Sequence, residues 1–263
     1  MPSAHEMTAG SGPAGEPMTA GGWKVAHHAV VESTQALARP LPAWSAVVAD
    51  AQSAGRGQRD RSFTSDAGGL YVSAVVPFDG DALAWRGFAL AIGRGVLNAL
   101  TELGIEDLRL RWPNDLMIGP RKVGGILVEQ GGPRTLLVGL GINITNRPWL
   151  TDHALRYVAG RLLDHTDRAL TGPAQLLEPV LAGMRRAHQE FESRRLAGMA
   201  AVLNECWGVP RHVWLEAAGE VELAESQGAF AGIEQDGRVR LARPDGSVVS
   251  IPEHHIQRLI EVE

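Results

Sequence analysis

Apolar and polar positions change their period several times along the chain, and each change predicts an element. Residues 1–22 are rich in Gly, Ala, Pro, Ser and Thr and almost free of large apolar side chains. Such a segment buries too little surface to offset its ordering entropy, so it reads as a disordered tail. From Trp23 the texture changes. Glu32 to Ala38 has the look of a helix start, with Ser33 or Thr34 placed to cap it. Trp44 to Ala49 is a short apolar run ending at Asp50, which predicts a buried strand. Residues 51–69 scatter Gly55, Gly57, Gly68 and Gly69 among polar residues and predict a long loop, a length usually kept for function or disorder. Leu70 to Val76 is a second strand, closed by Pro77. A helix is expected over Ala82 to Leu103, with Leu83, Leu90, Leu97 and Leu100 on one face and Gly104 just beyond it. Leu108, Leu110 and Trp112 alternate with Arg109 and Arg111, the mark of a strand with one buried face. Lys122 to Glu129 and Leu136 to Ile144 predict two more strands around a Gly-Gly-Pro turn. Leu176, Leu177, Val180, Leu181, Met184, Ala187 and Phe191 return to helical spacing.

After Gly208 the pattern becomes one of short strands and turns. His212 to Ala217, Glu220 to Glu225, Gly228 to Glu234, Val239 to Arg243 and Val248 to Ile251 alternate or nearly so. Asp236-Gly237 and Asp245-Gly246 are good hairpin turns. The expected organisation is a tail (1–22), an α+β domain with a mixed sheet and helices on one face (23–207), and a small C-terminal β-barrel (208–263).

Composition then narrows the partners. A net charge of −5 gives no overall field favouring nucleic acid or an anionic membrane, so any basic site is local. No apolar run approaches the ~20 residues of a membrane span, and residues 1–22 lack the apolar core of a signal peptide. One cysteine, Cys206, forms no internal disulfide and fits a reducing compartment; the expected location is cytoplasmic.

Three segments carry candidate chemistry. In Gly55-Arg56-Gly57-Gln58-Arg59-Asp60-Arg61-Ser62-Phe63, glycines allow close backbone approach and three arginines suit an anion, while Phe63 offers a flat surface for a base. A solvated basic loop would read the same way. In Arg111-Trp112-Pro113-Asn114-Asp115, Pro113 stops the strand and leaves Asn114 and Asp115 at the sheet's end, where open sheets bind ligands. A carboxylate there suits magnesium, and a plain turn is the alternative. Lys122 follows, and Gly124-Gly125 leaves room for a substrate beside the strand. In Gly139-Leu140-Gly141-Ile142-Asn143, one amide sits on a glycine-punctuated strand, either to read a purine edge or to satisfy nearby backbone. The chain has no G-x-x-x-x-G-K-[ST] phosphate loop and no complete G-x-G-x-x-G.

In this order and spacing the segments resemble the biotin–protein ligase family. The family's G-R-G-R-x-G-R-x-W loop is similar to residues 55–63, its K-W-P-N-D and K-x-x-G-I-L to residues 111–127, and its G-x-G-I-N to residues 139–143. Glu32-Ser33-Thr34-Gln35 is similar to its E-S-T-N element, and Gln52 stands where the family has a biotin-contacting glutamine. The strand Gly69 to Ser73 is similar as well. The resemblance implies a class II synthetase-like catalytic domain followed by a small Src-homology-3-like β-barrel. It implies that ATP activates biotin to biotinyl-5′-AMP, with Mg2+ present, and that biotin passes to a lysine of a biotin carboxyl carrier protein, such as that of acetyl-CoA carboxylase. Carried over by position, Ser33, Thr34, Gln52, Gly55, Arg56, Lys122 and Gly125 would bind biotin. Arg59, Arg61, Phe63, Asn114, Asp115, Lys122 and Asn143 would bind ATP, with Asp115 on the metal. Lys122, Arg56 and Arg61 would be catalytic.

The chain departs from the family at Gln35 (Asn), Gln58 (Arg), Asp60 (Gly), Phe63 (Trp) and Arg111 (Lys). Gln58 and Asp60 together remove one positive charge and add one negative charge beside the expected phosphate, which predicts weaker retention of the adenylate. A lipoate or octanoate ligase shares the general fold, but Trp112-Pro113-Asn114-Asp115 and the terminal barrel favour biotin. A non-catalytic biotin or nucleotide sensor is the other rival, and Lys122 argues against it. With only residues 1–22 ahead of the catalytic segment, no helix-turn-helix module is expected, which points to the monofunctional form. The chain is expected to be a monomer or a homodimer, with no nucleic acid or membrane partner.

Overall fold

A computed structural model of the chain describes residues 18–59, 61–152, 158–166, 170 and 172–262. Eight strands form the main sheet: β1 (Met18–Ala20), β2 (Trp23–Val31), β3 (Ser45–Gln52), β4 (Gly69–Pro77), β5 (Leu108–Arg111), β6 (Asp115–Ile118), β7 (Arg121–Gly132) and β8 (Thr135–Asn143). Their order is β1-β2-β3-β4-β8-β7-β6-β5. Only β2 and β3 run parallel; the other pairs are antiparallel, so the sheet is mixed. The helices are α1 (Thr34–Ala38), α2 (Phe88–Glu102) and α3 (Ala174–Asn204), the last broken at Arg195, where φ is +51°. Beyond them β9 (His212–Ala217), β10 (Gln227–Ile233), β11 (Val239–Ala242), β12 (Val248–Ile251) and β13 (Ile256–Glu261) make a five-stranded antiparallel sheet, order β12-β11-β10-β9-β13.

The apolar run of β4 is continuous because both its faces are covered. Leu70, Val72, Ala74 and Val76 join the large core with Phe88, Ile92 and Val96 of α2 and Val180, Met184 and Phe191 of α3. Val75, on the other face, packs with Ala38, Val47 and Leu137. The expectation of helices on one face therefore needs correction: α2 and α3 share a face, but α1 lies on the opposite one. It is the crossover between the parallel pair β2 and β3, and its Ala38 closes a small apolar cluster there. That same face carries the candidate site.

Four other expectations change. Residues 18–22 are not tail: Met18–Ala20 pairs with β2 through a turn in which Gly21 and Gly22 have positive φ; residues 1–17 lie outside the described residues. Helix α2 starts at Phe88, not Ala82, because Gly87 adopts φ +77° ahead of it; Leu83 is left exposed. Residues 220–225 form no strand, whereas β2, β6 and β13 were not anticipated. Arg109, expected to face solvent, is buried under β13. Its guanidinium makes a bidentate pair with Glu261 at 2.7 Å for each bond and a third bond to the Gly119 carbonyl at 2.7 Å.

Candidate active site

The site lies on the α1 face, over the glycines of β7 and β8. Its polar end is a chain of side chains. Gln52, at the end of β3, accepts from the Thr34 amide (2.8 Å) and from Thr34 Oγ1 (3.0 Å), and its Nε2 donates to Ser65 Oγ at 2.8 Å. Thr34 Oγ1 also meets Ser73 Oγ at 2.8 Å. The first amide of α1 is thus satisfied by Gln52, where the sequence suggested a Ser33 or Thr34 cap; neither side chain caps the helix.

The segment 51–69 is not a structureless loop. It folds back on itself through Gln52↔Ser65 and Arg56↔Ser62 bridges, with the Phe63 amide donating to Gly55 O at 2.8 Å. This lays the Phe63 ring on bare backbone. A side chain on Gly141 would collide with the ring, and one on Gly125 would stand 3.7 Å from it. Phe63 therefore walls the slot formed by Ser33, Thr34, Gln52 and Gly125. Phe63, expected to stack on adenine, borders the slot and not the neighbouring cleft.

At the other end stands Lys122. The backbone fixes it twice: its amide donates to Val158 O and its carbonyl accepts from Gly160 N, both at 2.9 Å. Its Nζ sits 2.6 Å from Asp115 Oδ1, while Arg111 holds Asp115 Oδ2 at 2.6 Å. Burial alone would raise the Asp115 carboxyl, but the two adjacent cations outweigh it and hold the group below its ordinary range. Asp115 stays ionised and sets Lys122 in place. Both oxygens of Asp115 already face cations, which leaves the carboxylate poorly suited to the magnesium role expected of it. Among the described residues no three His, Cys, Asp or Glu side chains are grouped to hold a metal ion.

The slot opens into a cleft of about 810 Å³ bordered by Arg61, Asn114, Asp115 and Lys122 on one side. The far side comes from the C-terminal sheet and its approach, with Arg211, His212, Gln227 and Arg258. No motif signalled these four, because they become neighbours of Lys122 only when the second sheet docks. Ser33, Thr34, Gln52, Arg56, Arg61, Phe63, Asn114, Lys122 and Gly125 do come together around the slot. Asp115 borders only the cleft, and three other expected residues border neither slot nor cleft. Gly55 lies beneath the loop, where a side chain would strike the Phe63 carbonyl. Arg59 turns away from the slot, with its guanidinium donating to Ile256 O of the C-terminal sheet at 2.9 Å. Asn143 is buried and donates to Gly160 O at 3.0 Å while accepting from Asn146 Nδ2 at 3.0 Å. Its work here is to hold the backbone that brackets Lys122.

Comparison with known proteins agrees with this picture. Residues 28–144 match the Biotin/lipoate A/B protein ligase family. The bifunctional ligase/repressor BirA of Salmonella typhimurium is 32% identical over 219 residues, which cover 76% of this chain and 65% of that protein. The biotin–[acetyl-CoA-carboxylase] ligase of Paracoccus denitrificans is 28% identical over 217 residues, covering 79% of this chain and 87% of that protein. The chain spans less than two thirds of the first BirA proteins it matches, 39% of the Escherichia coli protein among them. In fold, it is similar to the biotin protein ligase from Aquifex aeolicus in complex with biotin and ATP. The TM-score is 0.76 at 24% identity, covering 90% of this chain and 99% of that one. The resemblance read from the motifs is borne out.

Proposed function

We propose that this chain, a relative of the biotin–protein ligases, activates biotin with ATP and transfers it to a lysine of a biotin carboxyl carrier domain. The observation that carries the reading is the Lys122–Asp115–Arg111 cluster at the junction of the narrow polar-ended slot and the wide basic cleft. A slot with an apolar wall (Phe63) and hydrogen-bonding groups at one end suits a small fused ring with a ureido group. The cleft suits a nucleotide.

In the first half-reaction a carboxylate oxygen of biotin attacks the α-phosphorus of ATP, and the bond to the leaving pyrophosphate breaks. Two anions must meet, so the barrier falls only where cations are already in place. Lys122, Arg56 and Arg61 stand around the slot for this purpose, and Asn114 borders both slot and cleft. Asp115 keeps the Lys122 ammonium from wandering before substrate arrives. Magnesium would enter on the triphosphate oxygens as part of the nucleotide. In the second half-reaction the uncharged amine of a carrier lysine attacks the acyl carbonyl of biotinyl-5′-AMP, and AMP leaves. Lys122 is placed for the negative charge that develops at the carbonyl oxygen. Arg56, Gly57, Gln58, Arg61, Ser62 and Phe63 of the folded-back segment line the slot and would limit water, which would otherwise hydrolyse the anhydride.

The wider assignment rests on the same reading. Residues 18–207 form the catalytic domain, which takes in β1, and residues 208–263 a small Src-homology-3-like barrel; the five antiparallel strands support the second part. Among the described residues no helix is long and apolar enough to cross a membrane. With a single cysteine, the cytoplasm is the compartment we assign.

The test is transfer to a carrier domain of acetyl-CoA carboxylase with ATP and magnesium, offering biotin, lipoate or octanoate. Biotin on a single carrier lysine is the expected product. Biotin binding without transfer would replace the ligase with a sensor, and transfer of lipoate or octanoate instead would replace the substrate.

Gln58 borders both the slot and the cleft, where relatives' motif has arginine. A guanidinium there would add a charge-assisted bond to the adenylate phosphate. Gln58→Arg is therefore expected to slow dissociation of biotinyl-5′-AMP by about tenfold, measured by chase with unlabelled adenylate. Equal rates would show that the missing charge does not govern retention. Asp60, the other departure, lies outside the described residues.

A further inference from the structure

Gln35 was not among the expected ligand contacts, yet among the described slot residues its side-chain oxygen is the buried polar atom left without a hydrogen bond. The residue lines the slot, is only 5% exposed, and its Oε1 is sealed from solvent without a hydrogen-bond partner. The orientation of its amide is fixed by chemistry. Nε2 donates to Glu129 Oε2 at 3.2 Å, and a carboxylate only accepts, so the nitrogen must face Glu129 and the oxygen the other way. Glu129 is itself held at 2.9 Å by Arg39, just past the end of α1. Oε1 occupies the space that Gly139 leaves by having no side chain: a Cβ there would stand 2.9 Å from the oxygen. Gly139 and Gly141 thus serve opposite ends of one surface, the first beside Gln35 and the second under Phe63.

Of the neighbouring polar groups, Thr34, Gln52, Ser65 and Ser73 are engaged with one another. Gln52 Oε1 is shared by two donors of Thr34, and Gln52 Nε2 is given to Ser65. A buried acceptor left unmade costs folding free energy, and such a group is kept where something else supplies its donor. We propose that Gln35 Oε1 is a specificity-determining acceptor that receives an N–H of the ligand's head group. This rests on the ligase reading above and deepens it. A ureido ring carries N–H donors; a dithiolane or an alkyl chain carries none and would leave Oε1 unpaired inside the complex. Oε1 is sealed from solvent, so the head group must part the walls over it as it enters.

The experiment uses the full chain, titrated calorimetrically without ATP with biotin and with biotin methylated on both ureido nitrogens. Wild type is compared with Gln35→Met, which keeps the length and removes the amide. Biotin is expected to bind Gln35→Met about tenfold or more weakly, and methylation is expected to penalise wild type by a larger factor than the variant. The thermal midpoint of the empty variant is expected to match or exceed that of wild type, because an unpaired buried oxygen has gone; a merely structural glutamine would give a loss. Unchanged biotin affinity in Gln35→Met, or an equal methylation penalty in both proteins, overturns the inference and leaves the ligase reading standing. Failure of wild type to bind biotin at all overturns both.

Discussion

Lys122→Ala is expected to lower carrier labelling by about a thousandfold, the upper part of the range for losing one preorganised charge-stabilising group. Both half-reactions build charge beside this ammonium, so release of pyrophosphate and transfer from added biotinyl-5′-AMP should fall together. The fold should survive. Asp115 keeps Arg111 at 2.6 Å, so its buried carboxylate is not left without a cation. Asp115→Asn separates position from charge: Lys122 stays cationic but loses the ion pair at 2.6 Å that fixes its Nζ. That variant should lose roughly ten- to a hundredfold in kcat, with a smaller change in KM for biotin. Labelling by Lys122→Ala at the wild-type rate would remove this residue from the reaction. An Asp115→Asn defect confined to biotin KM would show that the carboxylate shapes the slot rather than the lysine.

Glu261→Ala is expected to be the most destabilising single change at the junction of the two sheets. Arg109 is buried, and the Glu261 side chain is only 17% exposed; they meet through two parallel bonds of 2.7 Å. Removing the carboxylate strands a guanidinium whose remaining described acceptor is the Gly119 carbonyl. Breaking a buried pair from one side costs about 3–5 kcal/mol. For a chain of this size that corresponds to a drop in Tm of roughly 10 °C. Urea unfolding provides the check, with the midpoint moving and the slope unchanged. Replacing both partners at once, Arg109→Leu with Glu261→Leu, should recover most of the loss, because the desolvation of both charges disappears with them. A double variant as unstable as Glu261→Ala would mean that packing, and not the stranded charge, sets the cost. Since Arg258 of the same strand borders the cleft, Glu261→Ala should also weaken ATP binding before it unfolds the chain.

Much of the main sheet was legible because its strands announce themselves by period and by their breakers. Leu70 to Val76 reads as a doubly buried strand, and it is one. β2 was missed because its WKVAHHAVV has a weak and broken alternation, and β6 because Pro113 suggested that the strand simply ended. The start of α2 was placed too early, at Ala82, for a related reason: leucine spacing predicts a face, but Gly87 in the left-handed region decides where the helix begins.

In the site, the sequence by itself determined which short motifs resemble a known family, and the residues they mark, Ser33, Thr34, Gln52, Lys122 and Gly125, gather around one slot. Tertiary structure alone decided where the longer side chains point. Arg59 carries the same charge as Arg61 two positions away, yet it is drawn to a carbonyl of Ile256, which only the docked C-terminal sheet supplies. Asn143 read equally as a purine reader or a partner for backbone, and packing settles the second, because Gly160 and Asn146 meet its amide. Asp115 looked like a metal ligand until Arg111 and Lys122 closed on it from neighbouring strands. Local periodicity and backbone freedom are properties of a few consecutive residues, so the sequence carries them openly. The partner of a charged or amide side chain is whichever complementary group folding brings within about 3 Å, and that is settled only when distant segments pack.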